Sequence, residues 1–203
     1  MRNHDNLVDL VAAFHDHTVK DDEKYNYLYR EMTDFGLACR EAYNDAPVPH
    51  NGFFSKEVDA WASINFFFAC IAEKNLKNVD LSTYAIFALR TALEDDPQDD
   101  LASTAVQKFD AYIPAAAAWI LGYGRELFKV QKDLTPSDDK QGDPARGGVL
   151  WKGRSEFSKE RWHFWKERFA VIAEMDGLLE MTRVLARDAV TGMERSETYE
   201  LMR

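Results

Sequence analysis

Tyr25, Leu28, Met32, Phe35, Cys39 and Ala42 recur at alternating intervals of three and four residues, a spacing that gathers them on one side of a helix turning 100° per residue. Similar spacing runs through almost the whole chain. No stretch combines sustained apolar and polar alternation with hairpin turn residues, so strands have no sequence basis here. Helices with one apolar face bury it most readily against other helices. We therefore expect an all-α fold, a single-domain multi-helix bundle of about 6–8 helices. At 203 residues the chain stays below the roughly 250 to 300 residues at which chains divide into separate cores.

The expected helices run from about Asp5 to Val19, from about Asp22 to Asn44, and from Lys56, capped by Ser55, to about Lys74. The third is apolar nearly all round (Trp61, Ile64, Phe66, Phe67, Phe68, Cys70, Ile71), which places it at the centre. A fourth begins at Asp80 or Ser82 and ends in the acidic run Glu94, Asp95, Asp96, read as a solvated turn before Pro97. Residues Asp99 to about Lys132 form one kinked helix or two, because Pro114 lacks the backbone donor and crowds the preceding turn. From Asp133 to Phe157 the chain is polar and rich in Gly and Pro. A loop of that length in a small domain is expected to be flexible or to serve as a lid. Ser158 caps a helix to about Met175, and Gly177 separates it from a last one reaching about Glu194.

The net charge of −10 argues against nucleic acid and anionic membranes as partners. It is unevenly placed, however, and Ala145 to Arg168 forms a local basic patch. No apolar run reaches the ~18 residues of a membrane span. Met1 to Leu10 lacks the apolar core of a signal peptide, so a cytoplasmic, reduced setting is expected. Cys39 and Cys70 have neither zinc-site spacing nor disulfide density and read as small buried groups. No phosphate loop, nucleophile elbow or dinucleotide fingerprint is present. No metal and no cofactor is expected.

One helix is chemically odd. On the wheel of Ser158 to Met175, Trp162, Trp165, Phe169 and Ile172 form one stripe, Phe164, Val171 and Met175 lie beside it, and Arg161 and Arg168 fall between. A guanidinium entering an apolar arc needs an anionic partner, because an unpaired buried charge costs several kcal/mol. Two readings stay open. Asp59, Asp110 or Glu126 supplies the carboxylate from inside the protein, or Arg161 and Arg168, with Lys152 or Arg154 from the loop, grip an anionic group of a small molecule. Trp119, Tyr123, Trp162 and Trp165 are then either core or the walls of a ligand cavity. His163 falls on the polar face with Glu160 and Glu167. His15 and His17 lie about 200° apart around their helix and suit no common metal, and His50 sits in a loop.

The run Trp151-Lys152-Gly153-Arg154-Ser155-Glu156-Phe157-Ser158-Lys159-Glu160-Arg161-Trp162-His163-Phe164-Trp165-Lys166-Glu167-Arg168-Phe169 resembles the signature of a family of all-helical fungal proteins known only as a domain of unknown function. Tyr112-Ile113-Pro114-Ala115-Ala116-Ala117-Ala118-Trp119-Ile120 resembles its second motif, in which a Gln often precedes the Trp where this chain has Ala118. The resemblance implies a fungal source, an intracellular helical domain and, for some members, a setting near specialised metabolism. It implies no catalytic residue. The expectation is a helical protein that binds a small, mainly apolar or anionic metabolite, with a cofactor-free cyclase or isomerase as its candidate reaction. The rival is a non-enzymatic protein–protein interaction module, docking through the acidic first half or the basic loop around Trp151. The oligomeric state stays open.

Overall fold

The structure, a computed structural model, describes residues 7–12, 33–49, 55–76, 79–138, 140 and 142–202. Residues 7–12 are helical. They are followed by α1 (Thr33–Asn44), α2 (Ser55–Glu73), α3 (Thr83–Leu89) running directly into a π-helical turn (Arg90–Glu94), α4 (Ala105–Lys129), α5 (Lys159–Ala173) and α6 (Glu180–Leu201). A two-residue pair, β1 (Lys132–Asp133) with β2 (Glu156–Phe157), is antiparallel, Lys132 opposite Phe157 and Asp133 opposite Glu156. The expected all-α single-domain bundle is what forms. The expected helices from Asp5 and Asp22 are described only over residues 7–12 and from Thr33; Tyr25, Leu28, Met32, His15, His17 and His50 lie outside the described residues.

The centre belongs to α4 and not, as expected, to the helix from Lys56 (α2), whose Ile64, Phe66, Phe67 and Cys70 are only half-buried because one side of α2 is not covered by α4. Its Ala115 to Ala118 run is buried, and short side chains there let α2 pack on one side and α6 on the other. The approach is closest at Gly122, where a Cβ would stand 2.8 Å from that of Ala69 on α2. α4 is one helix despite Pro114, whose missing N–H costs the Asp110 carbonyl its partner one turn earlier. The helix is started firmly: the Thr104 side chain accepts from the Gln107 N–H at 3.2 Å and the Gln107 side chain accepts from the Thr104 N–H at 2.9 Å, a reciprocal cap that satisfies two otherwise free donors. α5 packs on α6. α6 runs seven residues past the expected stop at Glu194, to Leu201, and buries Ala186, Ala189 and Met193 completely.

The β1–β2 pair closes the base of the long polar segment, and the Leu134 N–H bond to the Ser155 carbonyl at 2.8 Å continues the pairing. The 134–155 segment therefore leaves and re-enters the bundle at one point, beside the start of α5.

Candidate functional site

Arg161 stands in the first turn of α5, fixed there by the Ser158 cap, whose hydroxyl accepts from the Arg161 N–H at 3.2 Å. Its side chain is fully buried. Nε donates to Glu94 Oε1 at 2.7 Å and one terminal nitrogen donates to Glu94 Oε2 at 2.9 Å, the two-pronged geometry that suits guanidinium and carboxylate. The remaining N–H groups go to the carbonyls of Ala145 and Glu156 at 3.0 Å each and of Arg146 at 3.4 Å. That spends all five guanidinium donors.

Glu94 is spent as well. Oε1 also accepts the Trp165 indole N–H at 2.6 Å, Oε2 accepts the Gly148 N–H at 2.9 Å, and the Glu94 carbonyl accepts the Leu150 N–H at 2.7 Å. Gly148 must be glycine, since a Cβ there would come within 2.6 Å of both the Glu94 backbone and Asp95 Oδ1. Trp165 and Trp151 flank the guanidinium, with centroids 5.4 and 5.8 Å from Cζ. The cluster thus fastens the loop residues 145–150 to the bundle with no donor or acceptor left over.

The internal carboxylate is therefore Glu94, not Asp59, Asp110 or Glu126. Asp59 is exposed. Asp110 accepts from the Leu179 N–H at 3.1 Å and ties α4 to the entry of α6. Glu126 pairs with Lys129 at 2.7 Å. The solvated-turn reading of residues 94–96 fails at Glu94, which is 0% exposed. The reason is the π turn, marked by the Asp95 N–H bonding five residues back to the Arg90 carbonyl at 3.0 Å. An α-helical wheel continued past Leu93 would turn Asp96 inward and Glu94 outward. Only the wider turn reverses this, and nothing in the local sequence announces it.

The other expected site residues are dispersed. Arg168 is half-buried and donates to the Leu93 carbonyl at 3.0 Å. Trp162 is buried on the α6 side, its indole N–H bonded to Glu197 at 2.9 Å. Trp119 lies in the core between α2 and α4 with its indole N–H on Asn65 at 2.8 Å. Tyr123 stacks edge-on against it at 6.2 Å and borders a cleft of about 280 Å3 with Glu73, Glu126 and Lys129. Burial, then the neighbouring Asp80, Glu126 and Glu73, push the Tyr123 phenol above its usual range. Lys152 and Arg154 are exposed; Lys152 bonds to the Val149 carbonyl and Arg154 pairs with Asp133 at 3.5 Å.

Two further hollows border the described residues, and neither Arg161 nor Arg168 lines them or the Tyr123 cleft. One, of about 170 Å3, lies between the π turn and α4. The other is an apolar groove of about 300 Å3 formed by Leu7, by Phe35, Ala38, Cys39 and Ala42 of α1, and by Ser63, Ile64, Phe67 and Phe68 of α2. Among the described residues lining it, only Cys39 and Ser63 bring side-chain heteroatoms. Burial pushes the Cys39 thiol up to about 11, so at neutral pH it is an uncharged thiol and a poor nucleophile. Sequence reasoning missed the groove because it joins two helices whose relative placement no spacing encodes.

No group of three or more His, Cys, Asp or Glu among the described residues is arranged to hold a metal ion, and no helix among them is long and apolar enough to cross a membrane. Geometry thus defines a helical bundle with a saturated internal ion-pair lock and a separate apolar groove. The chain belongs to the family described as Protein of unknown function (DUF3632), whose model matches residues 2–169. No curated protein and no solved structure matches it.

Proposed function

We propose that this protein binds a small, mainly apolar organic molecule in the groove between α1, α2 and residues 7–12. The observation that carries the reading is the groove itself: about 300 Å3, lined by Leu, Phe, Ile and Ala with one hydroxyl and one neutral thiol. That volume is at the lower end for small-molecule sites, and the lining matches their usual mix of apolar walls and few polar anchors. Among the described residues that line it the groove carries no charged group, so it suits retention or shape-guided rearrangement of an uncharged ligand. A cofactor-free cyclisation or isomerisation, in the fungal specialised-metabolism setting that the resemblance implies, is the reaction class such a groove would host. The arginine pair is assigned no part in it, its hydrogen-bonding capacity being used internally.

Native mass spectrometry of the protein purified without denaturation tests this, with the Ala38→Trp variant beside it. Ala38 is exposed at the groove, so an indole there fills the hollow without entering the core. The expected result is a stoichiometric small organic mass on the parent protein that the variant loses while keeping its helical circular dichroism. An empty parent protein that binds no Nile red overturns the reading. Dye binding combined with retention of a protein partner through the exposed Leu10, Leu37 and Val48 would favour the interaction module instead.

A further inference from the structure

The π turn that buries Glu94 is followed by Asp95, whose Oδ1 lies close to Gly148. Asp95 faces the hollow of about 170 Å3, with Thr91 from the same turn, Pro97 beyond it, and Lys108, Phe109 and Tyr112 from α4. Three of these groups, the Asp95 carboxylate and the Thr91 and Tyr112 hydroxyls, make no side-chain hydrogen bond among the described residues. Asp95 also has no ion pair among the described residues. Arg90 and Arg146 are near enough to act on it through space, but Arg90 donates to the carbonyls of Pro144 and Arg146 at 2.9 and 3.1 Å. Partial burial, and then the neighbouring Glu94, push the Asp95 carboxyl above its usual range, against the lowering effect of Arg90 and Arg146.

Among the described lining residues the cation is Lys108, which donates to Asp100 Oδ2 and to the Gln98 carbonyl, both at 2.6 Å, so two of its three N–H groups and its ion pair are committed away from Asp95. Around the mouth, residues 94–100 hold five carboxylates. Glu94 is matched by Arg161 and Asp100 by Lys108, while Asp96 is exposed. Arg90 and Arg146 offset the Asp95 charge only through space, and aromatic rings such as those of Phe109 and Tyr112 in the wall attract cations.

From this geometry we infer a second binding site, independent of the groove, that takes a small organic cation: a short alkylammonium whose nitrogen bonds to Asp95 and the Thr91 and Tyr112 hydroxyls while its carbons lie against Pro97 and Phe109. A compact ammonium can fill three acceptors at once. An anion would be repelled by the Asp95 carboxylate, with only the third Lys108 N–H to receive it, and a neutral alcohol would add no charge opposite Asp95.

The test is a titration of the full chain with n-butylammonium chloride, followed by 15N–1H NMR, with n-butanol and sodium butyrate as probes of the same size. Saturable shifts at the amides of Thr91, Asp95, Phe109 and Tyr112 are expected from butylammonium, with affinity at least tenfold above either control. Asp95→Asn should weaken binding at least tenfold and leave distant amides in place, and Tyr112→Phe should weaken it about threefold. Should Asp95→Asn fail to fold, the ranking of the three probes on the parent protein decides by itself. Equal binding of butanol, preference for butyrate, or no saturable shift overturns the site. Because Ala38→Trp lies on the groove, it should leave butylammonium binding unchanged, so failure here and failure of the groove reading are read separately.

Discussion

Arg161 and Glu94 show how a buried charge is made tolerable: five donors meet five acceptors, and the carboxylate's four bonds are matched by two N–H groups of Arg161, one of Trp165 and one of Gly148. Burying the pair is not itself strongly stabilising, because desolvation offsets the attraction. Breaking it is costly. We expect Arg161→Met or Glu94→Gln alone to lose about 3–5 kcal/mol in urea unfolding. The double variant Arg161→Met/Glu94→Leu should lose clearly less than the two single losses combined, since no lone charge is left behind. Strict additivity would mean the two groups do not act as a unit. The need for a carboxylate opposite Arg161 was legible from its place in an apolar arc. Its identity was not, because Glu94 is 67 residues away in sequence and its inward turn depends on one wide helical turn.

Among the elements, α4 begins where the acidic stretch ends, and its start is also held electrostatically. Hydrogen bonds from Lys108, and from the backbone N–H groups of Ser103 and Ala102, hold the Asp100 carboxyl down to about 2. A carboxylate held lower in the folded chain than its unfolded value near ~3.9 adds stability that is fully present above that value and is lost as the pH falls through about 2. Melting temperature between pH 5 and pH 2 should therefore drop more steeply for the parent protein than for Asp100→Asn. Parallel curves would show that this cap does not contribute. The helices themselves were legible from three-and-four spacing and from cap residues such as Ser158, because those signals are local; Ser55, expected as a cap, is instead the first residue of α2. The loop was legible as polar and Gly-rich. That its residues 145–150 are fastened by Glu94 and Arg161 was not, since backbone N–H and carbonyl groups carry no sequence signature.

At the scale of the molecule, the family match ends at residue 169, inside α5, yet the core does not. Ala186, Ala189 and Met193 of α6 are completely buried against the bundle, and Trp162 and Lys166 reach across to Glu197, Lys166 at 2.6 Å. A chain ending at Met175 would expose the α6-facing side of α4 and α5 and should lose its cooperative thermal transition and its dispersed NMR spectrum. A truncated chain that still melts cooperatively would make α6 an appendage. By itself the sequence determined the helical class, most of the helices and the existence of a buried cation, because periodicity and the cost of an unpaired charge act along one segment. The tertiary structure alone decided which carboxylate answers that cation, where hollows remain and which polar groups border them, because these depend on how helices distant in sequence meet and on a π turn that shifts the phase of one of them.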